Sequence, residues 1–229
     1  MHVPDGFLDA PTSAVTGVVA AGAVAVALRG ARAELDERTA PLAGLTAAFV
    51  FAVQMMNFPV GAGTSGHLIG GALTAVLVGP WTAVLCMTVV LLVQAVLFAD
   101  GGLTALGTNV VLMSVVAVGV GYGVFRLLVA VLPRTRTGLL VGAGAGAFLS
   151  VPAAALAFVA LFAVGGNADI PMGTVAATMG GIHVLIGIGE AVITVVVLGA
   201  VLATRPDLVH GAARLRSAQV LAPRAVGSR

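Results

Sequence analysis

Residues 81–136 read WTAVLCMTVVLLVQAVLFADGGLTALGTNVVLMSVVAVGVGYGVFRLLVAVLPRTR. Two long apolar runs, 81–99 and 108–132, are parted by an acidic glycine turn at Asp100 and closed by Arg134 and Arg136. A helix needs about 20 apolar residues to cross the hydrocarbon core of a bilayer. The pair therefore reads as two consecutive crossings, with acid at one turn and arginine at the next. Outward from it, similar stretches lie at about 12–28, 41–59, 67–79, 138–164 and 174–203, making seven. The third is short and flanked by glycines, which leaves it tilted, broken or extended.

The whole chain agrees. Of its 229 residues 59% are hydrophobic and 9% charged, against about 25% charged in a typical soluble domain. A soluble fold could not cover its surface with so few polar groups. The mean hydropathy is +1.13. The net charge of +2 does not imply nucleic acid, because all eleven basic residues are arginine and their placement carries the information.

Arg29, Arg32 and Arg38 follow the first crossing. Arg126, Arg134 and Arg136 sit at the end of the fifth, and Arg205, Arg214, Arg216, Arg224 and Arg229 follow the seventh. In a seven-crossing chain all lie on one side, and Asp5, Asp9, Asp100 and Asp169 lie on the other. Arginine-rich loops stay in the cytoplasm. The expected fold is thus an all-α integral membrane protein of about seven transmembrane helices, N-terminus outside and C-terminus cytoplasmic. Residues 1–203 form a single transmembrane domain and 204–229 a basic cytoplasmic tail. The first segment lacks the positive start of a signal peptide, so Met1 reads as a retained N-terminus.

Small residues recur at helical spacing in Gly17-x3-Ala21-x3-Ala25, Gly119-x3-Gly123 and Gly142-x3-Gly146. Such spacing lets helices approach closely, within the chain or against another membrane subunit. Cys86, the single cysteine, reads as a small core residue and excludes an internal disulfide.

Four histidines are present. His210 falls in the tail and reads as bland. His2 follows the terminal amine. The amine, the His2 amide nitrogen and Nδ1 of its imidazole can close a five- and a six-membered ring on one metal ion. That leaves a fourth corner open in a plane of nitrogens, a geometry suited to Ni²⁺ or Cu²⁺. The amine and amide must shed protons first, so acid opposes binding. A Met-His terminus alone is weak evidence, since most such ends are disordered. Here Pro4, Asp5, Gly6 and Pro11 stiffen the segment, and Phe7 and Leu8 can plug it into the bundle.

His67 follows Asn57-Phe-Pro-Val-Gly-Ala-Gly-Thr64-Ser65-Gly66, where Pro59 is expected to end the second helix. Ser65 is expected to cap the third helix and to set His67 near its start. His183 and Glu190 stand seven apart, on one face of the last crossing. Ionisable groups at that depth are expensive and usually functional. Pairing with each other, or with Asn109 or Gln94, is the structural reading; tuning of a metal site and coupling to a conformational change are the functional ones.

These motifs resemble a known family. Met1-His-Val-Pro-Asp-Gly-Phe-Leu8, Asn57-Phe-Pro with Gly63-Thr-Ser-Gly-His-Leu-Ile-Gly70, Gly107-Thr-Asn109, and His183 through Glu190 are similar, in order over residues 1–203, to cobalt/nickel substrate-binding membrane subunits of energy-coupling factor transporters, the CbiM/NikM family. The resemblance implies a seven-helix subunit of a bacterial or archaeal cell membrane that captures Co²⁺ or Ni²⁺ outside. Residues 1–11 would be its metal-chelating segment. The Met1 amine, the His2 amide and imidazole and His67 would be the ligands, with Asn57, Thr64, Ser65, Asn109, His183 and Glu190 around them. Expected partners are a transmembrane coupling subunit, two cytoplasmic ATPase subunits, a small accessory membrane subunit and lipid. The ion would be the transported ligand, with no cofactor, in cobalt or nickel supply such as cobalamin biosynthesis. A phosphate-binding loop requires lysine, and the chain has none, so ATP hydrolysis is expected of partners rather than of this chain.

Two other readings compete. Gly63-Thr-Ser65-Gly66 fits the pattern of rhomboid-like intramembrane serine proteases with His183 as base, but leaves His2 and His67 unexplained. A stand-alone metal channel or secondary transporter would need a second acidic or histidine-rich pore segment, and none is evident.

Overall fold

The computed structural model describes residues 1–213 apart from 38, 57, 62 and 63, and leaves out the side chains of 58–61, 64 and 65. Arg38, Asn57, Gly63 and the tail residues 214–229, with Arg214, Arg216, Arg224 and Arg229, thus lie outside the described residues.

In chain order the elements are α1 (Ala10–Gly30), α2 (Ala40–Gln54), the hairpin β1 (Phe58–Gly61) and β2 (Thr64–Gly66), α3 (Gly71–Val78), α4 (Pro80–Leu97), a rod made of α5 (Leu106–Asn109), a π-helical segment (Val110–Val116) and α6 (Ala117–Val131), then α7 (Arg136–Gly165) and α8 (Met172–Thr204). Five of these helical stretches are long and apolar enough to cross a membrane, and α2 is a shorter apolar helix. The burial pattern says which solvent the bundle expects. On α8 the histidine, glutamate and threonine at 183, 190 and 194 are buried, while Leu185, Val192 and Val196 face outward. Polar inside and apolar outside is the arrangement a lipid surround selects. The molecule is an all-helical membrane protein but for the short hairpin.

Three expectations meet the structure. The second helix ends at Gln54, before Pro59, because the chain turns at Met55 into the hairpin. The third apolar stretch, 67–79, is no long span. Its helix is the eight-residue α3, every residue of which is buried, and at 1.5 Å per residue it covers about 12 Å. Residues 67–70 cover further depth as non-helical chain, with His67 and Ile69 fully buried. Backbone groups at such depth must find partners inside the protein. Glu190 accepts from the amides of Ile69 and Gly70, and Gln54 donates to the Ile69 carbonyl at 2.7 Å. The third concerns small residues. Ala21 and Ala25 of α1 are exposed, and only Gly17 of that stripe meets a close neighbour, Gly107. Gly119 and Gly123 face open space, and Gly121 makes the close approach, since a Cβ on Gly146 would sit 2.4 Å from its carbonyl oxygen.

The bundle has two ends. At one, Glu34 caps α4 through the amides of Trp81 and Thr82, and Arg136 donates to the Gly199 carbonyl. The beginning of the tail docks there, with Val209 and Ala212 buried against Leu73, Phe125 and Leu198. His210 packs near Tyr122, ring centres 6.2 Å apart. The other end receives the N-terminal residues.

Candidate metal centre

Residues 1–9 do not hang free. Val3 is held as if in a sheet: its amide donates to Asn109 Oδ1 at 2.8 Å, and its carbonyl accepts from Asn109 Nδ2 and the Gly102 amide. Asp5 accepts from the Thr104 amide and hydroxyl, which hold its carboxyl below the usual range. Phe7 lodges between Phe158 and Phe162 of α7, as the apolar pair Phe7-Leu8 suggested. The Phe7 carbonyl accepts from the Asn167 amide, and the Asp9 amide donates to the Gly165 carbonyl. Asp9 then caps α1 by accepting from the Thr12 amide at 2.8 Å.

This strapping carries Met1 and His2 inward to 2% and 6% exposure. Burial pushes the Met1 amine down from its ordinary 8.0 to about 4, against the opposing pull of Asp100. At neutral pH the amine is therefore uncharged and presents a lone pair. The His2 imidazole donates from Nε2 to Gln94 Oε1 at 3.1 Å. Its Nδ1 lies 3.1 Å from Asp100 Oδ1.

His67 comes from the opposite side, just after β2. Its ring lies 4.5 Å from that of His2, centre to centre, and tilted by 24°. His67 Nδ1 donates to the Leu68 carbonyl at 2.8 Å, which fixes the tautomer. Nε2 is left with a lone pair, fully buried and without a partner. His183 repeats the arrangement, with Nδ1 donating to the Met179 carbonyl at 2.8 Å and Nε2 unpartnered. The Met1 amine lies near both rings.

Met1, His2 and His67 thus come together, and His183 lies near them. Asn109 grips the backbone of Val3, and Glu190 grips the chain two and three residues past His67. His183 and Glu190 do not bond to each other or to Asn109 or Gln94; each is committed elsewhere. Asn57 and the side chains of Thr64 and Ser65 lie outside the described residues. The backbone of Ser65 pairs with Pro59 in the hairpin, and the residue at the start of α3 is Gly70, so Ser65 does not cap that helix. Cys86 is partly buried and points at the Ala43 carbonyl, as a packing residue would.

Sequence reasoning gave no site role to Asp100, to Gln94 on the His2 ring or to Gln54. A lone glutamine deep in an apolar run and an acid beside two glycines were the available signals. Among the described residues no group of three or more His, Cys, Asp or Glu side chains converges on one point. Any ion held here would have to draw on the chain's own nitrogen atoms as well as its side chains.

Apolar helices enclose these buried, lone-pair-bearing nitrogens in a membrane protein, and comparison with known proteins gives its family. Residues 2–208 match the CbiM family model, described as the cobalt uptake substrate-specific transmembrane region. The chain belongs to that family, and it is a membrane component of cobalt/nickel uptake of the CbiM/NikM type, with the ion as substrate. It is 39% identical over 211 residues to a protein of Haloquadratum walsbyi named for metal transport, covering 91% of this chain and 93% of that one. It is 43% identical over 130 residues to the cobalt transport protein CbiM of Sorangium cellulosum, covering 56% and 58%. A crystal structure of a truncated transition metal transporter superposes with a TM-score of 0.83 at 32% identity, covering 89% of this chain and 99% of that one.

Proposed function

We propose that this chain is the substrate-binding subunit of an energy-coupling factor transporter, and that it captures Co²⁺ or Ni²⁺ at the outer face. The ion is held by the Met1 amine, the deprotonated His2 amide, His2 Nδ1 and His67 Nε2. The observation that carries this reading is the burial of an uncharged terminal amine beside two imidazoles that each keep a nitrogen free of hydrogen bonds. The ring spacing supports it too. His2 and His67 already stand with their rings 4.5 Å apart, centre to centre.

Asn109 and Glu190 act at one remove, by fixing the backbones that carry His2 and His67. Such outer contacts commonly tune affinity by about 10–100-fold. His183 belongs to the same outer group, as do Asn57, Thr64 and Ser65. The chain crosses the membrane seven times, the third time as the non-helical chain 67–70 followed by α3, with the arginines in the cytoplasm. A surface hollow lined by Asp5, Asp9, Thr104 and Asn167 brings negative charge to the outer end, where it favours cation approach. ATP hydrolysis is done by two cytoplasmic ATPase subunits, coupled through a transmembrane subunit and a small accessory one.

The test is elemental analysis of bound metal in the purified chain, carried on a C-terminal tag. One residue added ahead of Met1, or His2→Ala, abolishes Co²⁺ and Ni²⁺ binding. Undiminished binding in either variant defeats the chelate.

A further inference from the structure

Arg126 is the only arginine of α6, which ends at Val131. At 1.5 Å per residue it stands about 7.5 Å inside that end. Beside it Leu127 and Val131 are 72% and 79% exposed, on the face that meets lipid. A charge on such a surface is expensive unless an opposite charge meets it. Among the described residues no carboxylate pairs with Arg126. Glu34, Asp36 and Asp207, acids of the same end, are engaged elsewhere: with the Trp81 and Thr82 amides, with the Thr39 amide and with Arg205. The Arg126 guanidinium lies over the Tyr122 ring, 6.0 Å from its centre. It borders a cavity of 140 Å³ between these two side chains and His210 and Gly211 of the docked tail. No carboxylate of the described residues lines it. Its far wall is fixed, since a Cβ on Gly211 would lie 2.8 Å from the Phe125 ring.

We propose that this cavity binds the phosphate of one anionic membrane phospholipid, held by the Arg126 guanidinium, with an acyl chain lying over Gly119 and Gly123. A guanidinium matches a phosphate with two parallel N–H groups on two oxygens. The cavity is several times the ~30 Å³ that one water occupies, so a tetrahedral oxyanion has room. Basic pockets between membrane helices hold anionic headgroups by the same chemistry. The glycines supply the rest. Gly119 lies seven residues before Arg126 and so on the same helix face. A Cβ on Gly119 or Gly123 would meet nothing within 4 Å. They leave a track free of side chains, about 10 Å long, running from the cavity toward the middle of the bilayer. Spacing suited to helix packing finds no helix of this chain there, and a hydrocarbon chain can lie close along it. This rests on the bundle's lying in lipid, and is independent of the nitrogen chelate at the opposite end.

The experiment uses the full chain in a neutral detergent, titrated with phosphatidylglycerol or phosphatidylcholine, with bound lipid counted by native mass spectrometry. The wild-type protein takes up one phosphatidylglycerol, about tenfold or more tighter than phosphatidylcholine. Arg126→Gln weakens the anionic lipid by about tenfold or more. Arg126→Lys, which keeps the charge, loses less, and Gly119→Leu, which fills the track, weakens both lipids. Arg205→Gln removes a cation of the same end that is already paired with Asp207, and leaves uptake unchanged. A cooperative melt shows that each variant is folded; if Arg126→Gln is not, Arg126→Lys and Gly119→Leu decide. Equal uptake of the two lipids, undiminished uptake by Arg126→Gln, or an equal loss in Arg205→Gln marks diffuse surface attraction and overturns the proposal. Displacement of the lipid by millimolar inorganic phosphate, with Gly119→Leu without effect, makes the cavity a site for free phosphate and overturns it as well.

Discussion

Lowering the pH separates this site from an ordinary chelating peptide. A free Met-His-Val peptide has an amine with its usual pKa of 8.0, whereas in the folded protein burial lowers it to about 4. Below pH 8 the peptide's amine must lose a proton before it can bind, and each further unit of acid costs it a factor of ten. The buried amine is already uncharged. Between pH 8 and 5 the peptide thus loses about 500-fold more affinity than the protein on account of the amine, or about 3.7 kcal/mol. Both carry the same His2 amide, and the amine is the group whose protonation separates them. The assay is competition titration of Ni²⁺ against a chelator of known pH dependence, run on both. Parallel pH profiles would refute the reasoning. The same shift affects folding, with a definite sign. The unfolded chain takes up a proton below pH 8 and the folded chain does not until about pH 4. Stability from this group is therefore full above pH 8 and falls as the pH drops toward 4.

Two substitutions probe the supports. Glu190→Ala strips acceptors from the buried amides of Ile69 and Gly70, at about 1–3 kcal/mol for each unpaired group. A lower unfolding temperature with weakened metal binding is expected in detergent, and an unchanged melt with unchanged affinity defeats it. Asn109→Ala frees both backbone groups of Val3 from that side chain, so the N-terminal segment is expected to become accessible to aminopeptidase. Protection equal to wild type would show that Gly102 and Phe7 suffice to hold it.

Some of this was legible from residue order alone, because the signals are local. Apolar runs of membrane length identify crossings whatever they pack against, and arginine placement is a property of the loops. The plugging role of Phe7 and Leu8 followed from their position beside stiff turns. Other features depend on partners distant in the chain. Nothing local says that 67–70 stays non-helical, because its backbone is satisfied by Glu190, 121 and 120 residues away from Ile69 and Gly70. Likewise the small residues at 119 and 123 keep the right spacing but face outward. Helical phase, set by what α6 packs on, gave the contact to Gly121 instead.

The sequence by itself determined the solvent, a lipid bilayer, because composition does not change on folding. Only the tertiary structure decided which nitrogens are free to bind. Gln94 takes the Nε2 proton of His2, the Leu68 carbonyl takes the Nδ1 proton of His67, and burial removes the charge of the Met1 amine. A lone pair is available or not according to what lies within about 3 Å of it, and that distance is set by packing.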